Sequence, residues 1–74
     1  MNRTDTDMYA RVAEEILRRR DISYVQLARE LGCNYTTVQV WMRGEGVPGP
    51  YFLRRLHNLG YDIIYMLTGE RNHA

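Results

Sequence analysis

A chain of 74 residues is shorter than the roughly 100 to 200 typical of a domain, so it is read as one small domain over residues 1–74. With 45% hydrophobic and 26% charged residues, six glycines and two prolines, it is neither low in complexity nor disordered, and no apolar run approaches the roughly 20 residues that span a bilayer. Ten arginines, no lysine and nine acids leave a net charge of +1, so any basic surface has to come from local arrangement.

Tyr9, Val12, Ala13, Ile16 and Leu17 recur at the spacing of one helix face, behind the capping candidates Thr4, Asp5, Thr6 and Asp7, which predicts a first helix over about 7–20. Glu14 and Glu15 stand four residues before Arg18 and Arg19, the favourable order for helical ion pairs. Arg18, Arg19 and Arg20 fall in the last turn, where the helix dipole favours cations, and are read as support for the helix.

Ser23 follows as a cap with Gln26 as its capping-box partner, and Leu27, Ala28 and Leu31 share one face before Gly32, giving a second helix over about 24–31. Gly32 suits a left-handed C-cap and Asn34 the N-cap of a third helix, so only Cys33 separates the two ends. The third helix, about 35–43, turns Val38 and Trp41 inward and Tyr35, Thr36, Gln39, Val40 and Arg43 outward. Its β-branched residues favour a strand locally, but Trp41 and Met42 break the alternation a strand needs.

Gly44, Gly46, Pro48 and Gly49 form a loop. Pro50 suits the first turn of a fourth helix carrying Phe52, Leu53, Leu56 and Leu59 and closed by Gly60. Asp62 caps a short fifth helix that turns Ile63, Met66 and Leu67 to the core, leaves Ile64 outside and stops at Gly69. The last two helices cover about 50–69, and the fold class is an all-α, compact five-helix bundle.

A single cysteine excludes an intrachain disulfide, and His57 and His73 offer no zinc spacing, so no metal or cofactor is expected. Cys33 reads as a small apolar filler and His57 as a surface or half-buried residue. Arg54 and Arg55 read as solubility charges. The six tyrosines scatter over the helices and read as core rims rather than a stacking platform. The N-terminal MNRTDTDMYA has no apolar stretch of the secretory kind, and a cytoplasmic protein without membrane contact is expected.

The most specific pattern lies between Tyr24 and Trp41. Ala28 is small where two helices cross closely, Gly32 permits a sharp turn, and Leu27, Leu31, Val38 and Trp41 hold the crossing against the first and fourth helices. Two helices joined by such a turn are a helix-turn-helix, whose second helix can enter a DNA major groove.

From about Val12 to Glu70 the chain resembles the phage repressor and Cro type of helix-turn-helix domain, the XRE-like or lambda repressor-like family. The stretch LARELGCNYTTVQVWMRG, Pro48 and the closing YFLRRLHNLGYDIIYMLTGE carry the resemblance, in the family's order. It implies that residues 24–43 form the helix-turn-helix proper and that Asn34, Tyr35, Thr36, Thr37, Gln39 and Val40 face base edges. It further implies phosphate contacts from Ser23, Tyr24, Gln26, Arg43 and the backbone amides near Tyr51. Tyr24 stands where the family more often has a polar residue, and packing on the first helix is its other reading. The C-terminal helix commonly forms the dimer contact in this family, which implies an interface of Tyr61, Ile64, Tyr65 and Thr68. Recognition helices would then sit about 34 Å apart on an inverted repeat.

The chemistry of these positions fits. Gln39 carries the donor and acceptor that read adenine bidentately, and Thr36 and Val40 offer methyl groups to thymine. Tyr35 suits either a thymine methyl or a phosphate, and Arg43 a phosphate, a guanine or the helix C-terminus. A merely solvated helix face more often carries Lys or Glu than the uncharged run Tyr35 to Val40.

The expected function is sequence-specific double-stranded DNA binding by a small transcriptional regulator, a repressor of phage or mobile-element origin acting as a homodimer. The larger phage repressors continue past the equivalent of Thr68-Gly69-Glu70, so a Cro-like, free-standing regulator is expected, antitoxin-like and anti-CRISPR-associated autoregulators included. The other reading is a protein-interaction module of the same fold, docking to polymerase or another regulator through the third helix, and near-neutral charge favours it. An enzyme is least supported: five short helices are expected to build no concave site, no nucleophile has a base in reach, and no small-molecule ligand is expected.

Overall fold

The computed structural model describes residues 3–71, with side chains from Met8 onward, and every element in that span is helical. They are α1 (Arg3–Arg18), α2 (Tyr24–Leu31), α3 (Tyr35–Met42), α4 (Pro50–Asn58) and α5 (Ile63–Thr68), the five-helix, all-α architecture expected from the sequence.

Local signals set most boundaries. The Ser23 hydroxyl accepts from the Gln26 N–H at 3.1 Å and opens α2. Gly32 closes it at φ 76°, in the left-handed region where a Cβ is strained, and the Cys33 N–H donates to the Ala28 carbonyl at 3.0 Å. Asn34 stands at the N-cap of α3 as expected, but its side-chain amide makes no capping bond; the Asn34 backbone carbonyl accepts from the Thr37 N–H at 3.0 Å. α3 stops at Met42 with Arg43 as its C-cap. Pro50 occupies the first turn of α4, and the Asp62 carboxylate accepts from the Tyr65 N–H at 2.9 Å to open α5.

α1 departs from the sequence reading. It starts at Arg3, so Thr4, Asp5, Thr6 and Asp7 lie within the helix rather than ahead of it; their side chains, like His73, lie outside the described residues. It ends at Arg18, so Arg19 and Arg20 follow the helix instead of filling its last turn. The inward face is also rotated: Val12 and Ile16 are buried, but Tyr9 and Leu17 are exposed, and Glu15 is fully buried. Residues 8, 12, 15 and 16 fall on one helix face as well as the expected set does, and the polar partners waiting at position 15 decide between the two.

The core joins Val12 and Ile16 of α1 to Leu27, Ala28 and Leu31 of α2, Val38 and Trp41 of α3, Leu56 of α4, and Tyr61 and Met66. Trp41 meets Phe52 with ring centroids 5.7 Å apart, which ties α3 to the start of α4. α1 packs against α3 and α5, α2 against α3 and α4, and α4 against α5. Leu67, expected inward, is exposed, and Tyr61, expected at a dimer interface, is buried. The Arg19 guanidinium lies 4.8 Å from the Tyr61 ring centre and covers it.

Guanidinium groups close three helix ends. Arg11 donates to the carbonyls of Met66 (3.2 Å) and Leu67 (3.1 Å) in α5, Arg19 to that of Leu59 (3.2 Å) after α4, and Arg55 to that of Glu30 (2.8 Å) in α2. These carbonyls have no partner within their own helices, so the arginines satisfy acceptors at the negative end of each dipole. Arg55 is therefore a half-buried tie between α4 and α2 and not a solubility charge.

The Glu15 carboxylate accepts from Arg18 Nε (3.0 Å) and Nη2 (2.6 Å), Arg71 Nη1 (2.7 Å) and the Asp62 backbone N–H (2.9 Å). The expected pairs of Glu14 with Arg18 and Glu15 with Arg19 do not form. Glu15 turns inward and takes Arg18, Arg19 reaches Asp21 at 3.2 Å, and Glu14 accepts from the Tyr65 hydroxyl. Burial alone raises the Glu15 pKa, but the two guanidiniums and the amide outweigh it and hold the carboxyl at about 2, against 4.5 in water. A carboxylate whose folded pKa is depressed stabilises the fold fully above 4.5, and that contribution is lost as the pH falls toward about 2. The shift corresponds to about 3 kcal/mol. Glu15→Gln is accordingly expected to lower the urea unfolding free energy at pH 7 by about that amount and to flatten its decline in acid. A variant as stable as the parent at pH 7 would remove Glu15 from this role.

Candidate nucleic-acid interface

α3 is an eight-residue helix held by two buried side chains, Val38 and Trp41, with Val40 and Met42 packed partly against the core and the opposite face turned outward. Asn34, Tyr35 and Thr36 are exposed at its start, and Gln39 follows half-buried one turn on. The Asn34 amide is not engaged in capping, which leaves it available to an outside partner.

Two of the expected base-facing residues sit differently. Thr37 lies one turn before buried Trp41 and is half-buried, flanking the outward face. Val40 is packed partly against the core, and the loop after α3 folds onto it: the Glu45 N–H donates to the Val40 carbonyl at 3.0 Å. A Cβ on Gly46 would stand 2.9 Å from Val40 Cγ1, so only glycine allows this approach.

The expected phosphate contacts divide similarly. Ser23 and Gln26 are exposed at the start of α2, and the Ser23 hydroxyl, an acceptor in the cap, keeps its own O–H to donate. Tyr24 is half-buried against the core. Tyr51 is 61% exposed, edge-on to Phe52 at 5.2 Å, with the Arg55 guanidinium 5.6 Å from its ring centre. Pro50 has no N–H and the Leu53 N–H donates to the Gly49 carbonyl at 2.9 Å, so the Tyr51 and Phe52 amides precede the helical ladder, and the N-cap, Gly49, has no side chain to accept from them.

Arg43 is exposed, and its Nε donates to Glu45 Oε1 at 3.1 Å. This carboxylate was not singled out in the sequence, although it stands two residues after the arginine across the Gly44 turn. Of the remaining arginines with described side chains, Arg18, Arg20, Arg29 and Arg54 are exposed, Arg18 while bonded to Glu15, and Arg11, Arg19, Arg55 and Arg71 are half-buried in the ties described above.

The dimer set is not one surface. Ile64 and Thr68 are exposed, Tyr61 is in the core, and Tyr65 is half-buried, its hydroxyl on Glu14 and its ring 3.8 Å beneath the Arg71 guanidinium carbon. Nor is the surface without concavity, as had been expected: an open groove of about 710 Å³ runs between α4 and α5. Among the described residues no three His, Cys, Asp or Glu side chains gather as a metal site requires, and no helix is long and apolar enough to cross a membrane.

Compared with protein-family models, curated proteins and solved structures, the chain finds no match.

The contact at Gly46 makes a specific prediction. Gly46→Ala is expected to cost about 1 to 3 kcal/mol in urea unfolding by overpacking the loop on Val40, and the added substitution Val40→Ala is expected to recover part of that loss. Independent, additive costs would show that the two residues do not meet.

Proposed function

We propose that this protein binds double-stranded DNA sequence-specifically, with α3 in the major groove, and acts in the cytoplasm as a small transcriptional repressor. The observation that carries this reading is the start of α3. Asn34, Tyr35 and Thr36 are exposed and uncharged, and the Asn34 amide lacks the capping bond this position ordinarily makes. Together with Gln39, it presents the hydrogen-bonding pattern that reads adenine, beside a threonine methyl suited to thymine.

Phosphate contacts in this reading come from Ser23, Gln26 and the free amides of Tyr51 and Phe52, with Arg43, the C-cap of α3, as the cation beside that helix. Amides at a helix start favour an anion through both their N–H groups and the dipole. Pairing of two copies through the exposed Ile64 and Thr68 completes the proposal and gives an inverted-repeat operator with half-sites about 34 Å apart. The test is selection from random duplex DNA at low salt, followed by sequencing. An enriched inverted repeat is expected, and Gln39→Ala is expected to lose about 1 to 3 kcal/mol of discrimination at one position. No enriched sequence would sink the reading.

A second reading, a protein-docking module of the same fold, is favoured by one observation: arginines that could face DNA are tied up within the fold. The two readings part on the Arg43–Glu45 pair. If α3 meets DNA, Glu45→Gln frees a cation beside the phosphates. Operator affinity is then expected to rise about ten-fold at low salt, and the salt slope to steepen by about one per subunit from a dimer value near −5 to −6. A slope unchanged by the substitution would place Arg43 away from phosphate.

A further inference from the structure

The groove between α4 and α5 shares only Ile64 with the proposed pairing surface and otherwise lies outside both readings. One wall is a helical stripe, Leu53, Arg54 and His57, and the other is Ile63, Ile64 and Leu67. Ile64 is 51% and Leu67 40% exposed, and the two stand together on one wall of the groove rather than singly on the surface. No residue of α3 lines the groove, so a partner seated there leaves the proposed DNA face open.

We propose that this groove docks an acidic amphipathic helix of a partner protein. Its shape suits that occupant. An open, mostly apolar trough between two helices receives the apolar stripe of a third, with anchors spaced one turn apart. Its charge selects the other face of the occupant. Arg54 is exposed on one wall beside His57, and Arg18, half-exposed even while bonded to Glu15, stands at the groove too. The acid lining it, Asp62, is half-buried, caps α5 and lies 3.4 Å from Arg71. Carboxylates flanking the apolar stripe of a docked helix would meet these guanidiniums.

A second copy of this chain fits less well. Self-association about a two-fold axis sets the same patch against itself, so the cationic rim of one groove would face that of the other. Ile64 lies at the edge of both the groove and the proposed pairing surface of α5, so a docked helix and a paired copy compete for it. The proposal does not rest on DNA binding, and its test contains no DNA.

The test uses two synthetic peptides of about 18 residues, each a helix with leucines on one face, carrying glutamates on the other face in one peptide and lysines in its twin. Fluorescence anisotropy against the whole protein is expected to show the acidic peptide binding at least about ten-fold tighter than the basic one. Arg54→Glu, an exposed substitution, is expected to erase that preference, and Leu53→Asp to weaken both peptides, with thermal melts confirming that each variant is folded. Equal binding of the twins, binding of neither, or a preference untouched by Arg54→Glu would overturn the proposal. Sedimentation showing a dimer that Leu53→Asp dissolves would overturn it as well, by giving the groove to a second copy.

Discussion

The Glu15 carboxylate is withdrawn from water yet ionised, and it holds three separate parts of the chain at one point. Arg18 comes from its own helix, the Asp62 amide from the first residue ahead of α5, and Arg71 from beyond the end of α5. A buried anion is costly unless its oxygens are fully bonded, so α5 cannot drift from α1 without leaving that charge exposed to an apolar core. The position of α5 then fixes the rest of that side of the molecule: Tyr61 is driven inward under Arg19, Met66 seals the core, and Ile64 and Leu67 are left along the groove. Burial raises the Tyr61 hydroxyl pKa, as expected for a phenol in that setting.

The other half of the fold rests on shape. Ala28 and Gly32 let α2 and α3 approach and turn, and Leu27, Leu31, Val38 and Trp41 fill the space behind them. Packing of this kind overrides the strand preference of Thr36, Thr37, Val38 and Val40, because two buried side chains one turn apart reward a helix and not an alternating ladder. The result frees the opposite side of α3 from structural duty, and uncharged polar groups occupy it. One apolar member, Val40, is claimed by the loop at Gly46.

Arginine use links the two halves. With ten arginines and no lysine, the chain looks ready to supply a basic surface, yet the guanidiniums of Arg11, Arg19, Arg55 and Arg71 reach across the fold to carbonyls or carboxylates. A planar fork with several donors does this better than an ammonium, which fits the absence of lysine. The cost falls on long-range electrostatics: among the described residues few cations remain outside such ties, and the outward face of α3 offers hydrogen-bonding and methyl groups more than charge.

The sequence by itself determined the number and type of the helices, the caps at Ser23, Asp62, Gly32 and Gly69, the proline start of α4 and the inward pair Val38 and Trp41. Each of these is written in residues a few positions apart, whose local stereochemistry has few alternatives. Tertiary structure alone decided which face of α1 turns inward, because residues 8, 12, 15 and 16 compete evenly with the expected set until Asp62 and Arg71, some 47 and 56 positions away, supply partners for Glu15. It also decided that Tyr61 is core and Leu67 surface, that Val40 is covered and Tyr24 packed, and that the arginines point home. None of these has a local signature: the spacing of side chains along one helix states which residues share a face, and only the neighbours brought in by folding state what that face meets.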